Sequence, residues 1–276
     1  MTYGTRGPEW SAVVPMPQVE SGVRRVVPGA DLVDLPDAVL RPVREGNAFE
    51  STVEMLATAI RLGVFATGDR LPPERELAER LRVGRATLRE AIAALRQAGL
   101  VTTTRGRTGG TVVVYRGHLG GPGRLPDSLL PLVSAHRAGV QLADVLAYRR
   151  VVEPGAVAVA AAAQLTADQR AGLVEALDDV RQAPDDGRRR IADARLHLVI
   201  ATLTGSSLVV EAVTQAQAMV GEMLAAIPVL RRNIDHSDAQ HEAIVTAILA
   251  GDGEAARRSM EEHCDATSAL LRGLIG

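Results

Sequence analysis

The chain has almost no aromatic residues from which to build a core. Aromatic side chains make up only 2% of its 276 residues, whereas hydrophobic residues as a whole make up 46%. The cores must therefore be built from Ala, Leu, Val and Ile, a set that suits packed helices better than a β-sandwich. We therefore expect a mainly helical protein, long enough for two ordinary domains with a core each.

Two classes of protein are disfavoured by the absence of the segments they need. No stretch approaches the ~18 consecutive apolar residues of a membrane span. The first residues also lack the apolar segment of a secretory signal. The single cysteine, Cys264, excludes an intramolecular disulfide and fits a reducing compartment. We expect a cytoplasmic protein with no membrane partner.

Charge is distributed unevenly along the chain. Residues 45–116 hold 11 Arg and 8 acidic residues, for a net charge of +3. Residues 117–276 hold 15 Arg and 20 acidic residues, for a net charge of −5. A basic segment followed by an acidic one indicates that only the first meets a polyanion such as DNA.

The basic segment has the element order helix, helix, helix, hairpin. Apolar residues recur at helical spacing up to Gly63, and two further helices are expected over Glu74–Leu81 and Arg85–Ala98. β-branched runs at Leu100–Thr104 and Thr111–Val114 flank a turn rich in Gly and Arg, which predicts a hairpin. With a tight turn between the second and third helices, this order is typical of an N-terminal winged helix-turn-helix domain.

The rest of the chain predicts an extension, a linker and a helical bundle. Residues 1–44 contain six prolines and no sustained period, so we expect a disordered extension with a short apolar turn at Leu32–Leu40. Residues 117–126 are expected to be a Gly/Pro linker. Residues 127–276 show only helical periods, which predicts a C-terminal antiparallel bundle of six or seven helices. The predicted helices are Asp127–His136, Leu142–Ala163, Thr166–Ala183, Arg188–Leu203, Ser207–Ile227, Asp235–Ala250 and Gly253–Leu274.

Arginines stand where a winged helix meets DNA. Arg85 and Arg89 lie at the N-terminal end of the third helix, away from its apolar stripe. Two guanidinium forks at that end suit bidentate contact with guanine or phosphate in the major groove. Arg105 and Arg107 flank Gly106 at the hairpin tip, which suits entry of a wing into the minor groove.

The alternative interpretation is an ordinary solvated surface. Arg75, at the start of the second helix, is placed to lie over the DNA backbone, but it also stands four residues from Glu79 and can pair with it. For any single arginine this alternative stays open. The ordered set of arginines as a whole favours DNA.

These residues resemble the GntR-type winged-helix regulators. The resemblance covers residues 68–114 and is carried by Gly-Asp-Arg-Leu-Pro-Pro-Glu-Arg-Glu-Leu-Ala, Val-Gly-Arg, Thr-Leu-Arg-Glu-Ala, Gly-Leu-Val and Arg-Gly. Gly84 stands where many members carry Ser, which removes one side chain able to contact a phosphate. The DNA contacts that the resemblance implies are Arg75, Arg85, Thr87, Arg89, Arg105 and Gly106.

Three histidines and an aspartate form a pattern in the acidic half. Asp193 and His197 are four residues apart on one predicted helix, so they face the same side. His241 and His263 are each eleven residues from Asp252, at the centre of a turn between two helices, which puts them at the same height in a helical hairpin. One Asp and three His suit Zn²⁺, Ni²⁺ or Mn²⁺. Spacing alone leaves open that these are ordinary core residues.

The same segments resemble the FCD effector domain of the FadR branch of that family. In many such domains an Asp and three His hold a metal, and a carboxylate effector completes its coordination. The resemblance also implies that Arg149 faces the effector, where its fork can pair with a carboxylate. Ala147 and Gln240 replace glutamates common at those positions, which alters the support of the ligands. The implied ligands of one divalent ion, Zn²⁺ with Ni²⁺ or Mn²⁺ as alternatives, are Asp193, His197, His241 and His263.

The sequence therefore predicts a homodimeric transcriptional regulator rather than an enzyme. Its partners are expected to be a double-stranded DNA operator, a small organic acid and a second copy of the chain. The linker at Leu119–Pro126 and the helix after it are the expected route between effector and DNA. One alternative is a metal-dependent hydrolase fused to a winged helix, although no general base or nucleophile motif is evident. Another is a pure metal sensor.

Overall fold

Helices dominate the residues that the computed structural model describes. Those residues form ten helices and one two-stranded sheet, which confirms the mainly helical fold expected from the aromatic-poor composition. The described residues are 35–40, 42–43, 48–104, 110–116, 141–225, 227 and 231–275. The N-terminal elements are α1 (Leu35–Val39), α2 (Ala48–Arg61), α3 (Glu74–Leu81), α4 (Arg85–Gln97), β1 (Val101–Thr104) and β2 (Gly110–Val113). The C-terminal helices are α5 (Leu142–Ala162), α6 (Ala167–Arg181), α7 (Asp186–Leu203), α8 (Ser207–Ala225), α9 (Arg231–Ala250) and α10 (Gly253–Ile275).

A tight turn joins α3 and α4, as the sequence predicts. Arg82 ends α3 in the left-handed conformation, with φ of 53°, and its N–H donates to the carbonyl of Glu79. Gly84 then forms the N-cap of α4 without a side chain to cap it. The apolar stripe of α4, at Leu88, Ile92 and Leu95, is buried against the preceding helices. This burial leaves the opposite face of α4 towards solvent.

The predicted hairpin forms the wing. β1 and β2 pair antiparallel, with Val101 opposite Val113. The turn before α3 pairs with β2 on the side away from β1, because Arg70 forms an isolated antiparallel bridge with Val112. The hairpin tip, residues 105–109, lies outside the described residues, as do the predicted linker and the predicted helix over Asp127–His136.

Helix α5 is the centre of the C-terminal bundle. It packs against α7, α8, α9 and α10, while α6 covers α7 and α9. The described part of residues 127–276 therefore contains six helices that pack together, in agreement with the predicted bundle. Across the described residues, no helix combines the length and the apolar character needed to cross a membrane. The interior faces of α5, α7, α9 and α10 meet in the middle of this bundle, which brings polar side chains from four helices together there.

The winged helix and the bundle are in direct contact at the end of α2. Gly63 has φ of +69°, and a Cβ there would lie 2.7 Å from Cγ2 of Ile191 on α7. Arg61 forms an ion pair of 3.0 Å with Glu222 on α8. Helix α1, at the predicted apolar turn of the N-terminal extension, also packs against α7 and α8. The exact domain boundaries, at residues 44, 116 and 126, stay predictions.

Candidate metal centre and DNA-reading surface

Three histidines from three helices converge inside the bundle. His197 on α7, His241 on α9 and His263 on α10 are 2%, 1% and 4% exposed. Each offers a ring nitrogen, and these three atoms lie within 4.8 Å of one another. The equal spacing from the turn at Asp252 does place His241 and His263 side by side, with ring centroids 4.6 Å apart. The fourth predicted ligand is adjacent, since Oδ1 of Asp193 lies 3.4 Å from Nε2 of His241.

Burial favours the neutral form of two of these imidazoles. It lowers the pKa of His241 to about 4, against a partial offset from Asp193, and it lowers the pKa of His263 well below the ordinary value. A neutral imidazole has a lone pair available, which is the form that binds a metal ion. His241 and His263 are therefore in the required state at neutral pH.

The hydrogen bonding of the histidines fits a metal ion. Nε2 of His197 and both ring nitrogens of His241 are buried without a hydrogen bond from any described residue. Leaving a buried polar atom unsatisfied costs about 1–3 kcal/mol, and coordination of a cation removes that cost. His263 differs, because its Nδ1 lies 3.2 Å from Oε1 of Gln240. With the amide oxygen accepting, Nδ1 carries the proton and Nε2 remains available as a ligand.

Glu153 supports the site, although no sequence motif pointed to it. Its Oε2 lies 2.7 Å from Nδ1 of His197. Its Oε1 accepts hydrogen bonds from Nε of Arg149 and Nε2 of Gln217. Burial alone would raise the pKa of Glu153, but the charge of Arg149 and the neighbouring His197 lower the pKa to about 2, so the carboxylate is ionised. A carboxylate behind a ligating histidine orients the ring and increases its basicity.

Arg149, the residue predicted to bind the effector, forms an ion pair with Glu153 and also lines a cavity. It is 3% exposed to solvent and lies 3.1 Å from Glu153. Burial opposes its charge, but Glu153 raises the pKa of Arg149 further above its ordinary value. Nη1 of Arg149 has no hydrogen-bond partner among the described residues. The side chain lines a cavity of about 340 Å³ together with Asp193 and His263, so the predicted effector residue and two of the four predicted metal ligands share one space.

The predicted DNA-reading residues lie at the start of α4 and on α3. Arg85 and Arg89 are exposed in the first two turns of α4, and Thr87 between them is half-buried. Arg75 on α3 is exposed as well, with 73% of its side chain accessible, and it lies 3.9 Å from Glu79. A solvated pair at that distance is weak and leaves Arg75 able to turn to a phosphate. Arg105 and Gly106 lie outside the described residues.

Comparison with known proteins agrees with this division of the chain. Residues 49–113 match the family described as bacterial regulatory proteins, gntR family, and residues 144–266 match the FCD domain. The HTH-type transcriptional repressor NanR of Cronobacter sakazakii is 30% identical over 247 residues, which cover 85% of this chain and 89% of the relative. The HTH-type transcriptional regulator Rv0494 of Mycobacterium tuberculosis is 31% identical over 249 residues, covering 84% and 92%.

The chain belongs to the GntR family of bacterial regulatory proteins. Among solved structures, Escherichia coli McbR/YncC covers 84% of this GntR-family chain and 100% of its own, with a TM-score of 0.50 and 19% sequence identity, so the two share a fold. The matched families and relatives are regulators of transcription rather than enzymes. The protein is therefore a DNA-binding transcriptional regulator with an FCD effector domain, and the hydrolase alternative is set aside.

Proposed function

We propose that this GntR-family regulator changes its affinity for an operator when a small organic acid binds at a metal site in its FCD domain. The observation that carries the proposal is the set of three buried imidazoles whose ring nitrogens face one another largely without hydrogen bonds. A bound divalent ion, Zn²⁺ with Ni²⁺ or Mn²⁺ as alternatives, supplies a Lewis-acidic position for a carboxylate oxygen. The residues proposed to hold it are Asp193, His197, His241 and His263.

The cavity beside the histidines suits a small acid. Its volume of about 340 Å³ falls at the lower end of the range for small-molecule sites. Arg149 offers an unpartnered guanidinium nitrogen to it, and Asn233 and Thr267 add polar groups. Among the described residues lining it, none is Phe, Tyr or Trp, so the cavity offers no such ring for stacking on a nucleobase. We therefore propose a carboxylate, rather than a nucleotide, as effector.

The operator is proposed to be read by the exposed start of α4, with α3 and the wing on the DNA backbone and minor groove. Arg85 and Arg89 project from the helix end that enters the major groove in helix-turn-helix proteins. Arg75 is placed for a phosphate contact. The full proposed set of DNA contacts is Arg75, Arg85, Thr87, Arg89, Arg105 and Gly106.

We expect the regulator to be a homodimer. Val151 and Val159 on α5 and Leu208 on the neighbouring α8 are 77%, 51% and 73% exposed, and we propose that these apolar side chains lie in the interface between two copies. A palindromic operator also needs two recognition helices related by a two-fold axis. Light scattering should return twice the 29.1 kDa mass of the chain, and Val151→Glu with Leu208→Glu should return the single mass. Val174→Glu, which changes an exposed residue of α6, should leave the protein dimeric. A wild-type particle of 29.1 kDa at micromolar concentration contradicts the expectation.

Titration of DNA binding with metal and acid tests the proposed function. Metal-free protein is reloaded with Zn²⁺, and its affinity for DNA fragments selected from its own genome is measured by fluorescence anisotropy with and without organic acids. We expect one ion per chain, and an acid that changes operator affinity at least tenfold, which corresponds to about 1.4 kcal/mol of coupling. His241→Ala should lose both effects, because it removes a proposed ligand.

The controls separate the remaining alternatives. Glu242→Ala, an exposed neighbour of His241 on α9, should retain metal and response. A pure metal sensor is indicated if metal alone changes DNA binding and no acid adds to it. An acid response of equal size in metal-free and metal-loaded protein contradicts the proposed site.

A further inference from the structure

A second, smaller cavity adjoins the proposed effector site. Its volume is about 160 Å³, and it lies between the end of α2 and helices α7, α8 and α9. Arg61 and Leu62, from the winged-helix part of the chain, line it. Asp193, Gln217 and Asn233 line both this cavity and the larger one. The two cavities therefore share part of their lining, and the smaller one reaches the end of α2.

Arg61 brings an incompletely compensated charge to this cavity. Only 5% of its side chain is exposed, and its Nη1 lies 3.0 Å from Oε1 of Glu222, which is itself 37% exposed. Its Nε is buried without a hydrogen-bond partner among the described residues. Arg61 also lies beside the hydroxyl of Tyr115, the residue that leads out of the wing. One half-exposed carboxylate therefore has to balance a guanidinium buried at the domain junction.

Arg190 on α7 also lines this cavity, and its charge is compensated less than that of Arg61. Its guanidinium donates to the carbonyl oxygens of Leu224 and Ile227, the latter at 3.1 Å. Its Nε is buried without a partner, and among the described residues it forms no ion pair with an acidic side chain. Burial lowers the pKa of Arg190 in spite of the charges of Asp193 and Asp186 nearby. An anion in this cavity would gain from both guanidinium groups.

We propose that the small cavity is a second anion subsite, in which Arg61 and Arg190 bind the far carboxylate of a short dicarboxylate effector. This rests on the proposed function, because the near carboxylate occupies the site at Arg149 and the histidines. The lining of the small cavity is partly aliphatic, with Ile191 and Leu224, which suits a short carbon chain. A monocarboxylate of the same length reaches only one end of this space.

The second subsite also lets the effector contact the DNA-binding domain directly. Arg61 is the last residue of α2, and its partner Glu222 belongs to α8 of the bundle. A carboxylate that binds Arg61 competes with Glu222 and so changes an ion pair that joins the two parts. A ligand shifts a conformational equilibrium only through such a difference in contacts between states.

The test is isothermal titration calorimetry on the full, Zn²⁺-loaded chain. The probes are succinate and glutarate, with butyrate and valerate as length-matched monocarboxylates. We expect the wild type to bind a dicarboxylate at least tenfold more tightly than its matched monocarboxylate. Arg190→Met and Arg61→Met should abolish this preference and leave monocarboxylate affinity unchanged. Glu222→Gln should strengthen dicarboxylate binding, because Arg61 then has no competing charge there.

The possible outcomes distinguish this inference from the function on which it rests. Arg170→Met, an exposed arginine on α6 that lines neither shared wall nor subsite, should behave as wild type. Equal affinity for both acids of a pair, or an equal loss of both in Arg190→Met, overturns the second subsite while monocarboxylate binding still supports the proposed function. Binding of no acid of either kind overturns both.

Discussion

Glu153→Ala is expected to destabilise the FCD domain by about 3–5 kcal/mol, the range for removing one partner of a buried ion pair. Glu153 is 1% exposed and its carboxylate is the acidic partner of Arg149 in the bundle interior. Its removal leaves the Arg149 guanidinium charged and uncompensated, and it also frees the amide of Gln217. Urea unfolding of metal-free protein followed by circular dichroism measures the loss, without a contribution from metal binding.

Two further variants show whether the unpaired charge is the cause. Arg149→Met combined with Glu153→Leu removes both charges and keeps similar volumes, so it should cost much less than Glu153→Ala alone. Glu254→Ala removes a carboxylate from an arginine cluster at the surface of α10, where the Glu254 side chain is 58% exposed, and should change stability little. If the double variant is as unstable as the single one, the loss comes from packing and not from an uncompensated guanidinium.

Arg85→Ala and Arg89→Ala are each expected to weaken specific operator binding by about 1–3 kcal/mol. Both side chains are exposed at the N-terminal end of α4, and the buried stripe of that helix does not use them. The loss should be confined to the operator, because a base contact carries sequence information and a phosphate contact does not. Anisotropy titrations with the operator and a scrambled duplex, at two or more salt concentrations, measure both parts.

Two variants for comparison lie on α4 and α3. Arg96→Ala, in the last turn of α4, should bind as wild type because that end of the helix lies away from the groove. Arg75→Ala should lower affinity for both duplexes and reduce the slope of log affinity against log salt by about 1. Folded Arg85→Ala and Arg89→Ala proteins that bind the operator as tightly as wild type would show that α4 is not the recognition helix.

Local sequence patterns were sufficient to predict most of the described helices and the two strands of the hairpin. Helix α3 has the predicted bounds, because Pro73 and the left-handed Arg82 end it on either side. Helix α7 begins at Asp186 rather than at the predicted Arg188, since the side chain of Asp185 caps it by accepting from the N–H of Arg188. Periodicity and capping act over one or two turns, so residues close in sequence carry them.

The histidine cluster was also within reach of the sequence, for a geometric reason. Equal distances of His241 and His263 from one turn translate into equal heights in a helical hairpin, and the structure places their rings 4.6 Å apart. No local spacing relates His197 on α7 to that hairpin. The expectation that His197 joins the other two histidines came from the resemblance to FCD domains.

What the sequence alone determined is therefore the order of the elements, the helix-turn-helix that contains α4 and the pattern of the three histidines. Only the tertiary structure decided which charges are buried and what pairs with them. Glu153 meets Gln217 across 64 residues, and Arg61 meets Glu222 across 161 residues. The sequence does show Arg149 and Glu153 four residues apart in an Ala/Val-rich helix, but such a pair looks the same on a solvated face. Burial depends on which helices pack around a side chain, and no local pattern encodes those distant neighbours.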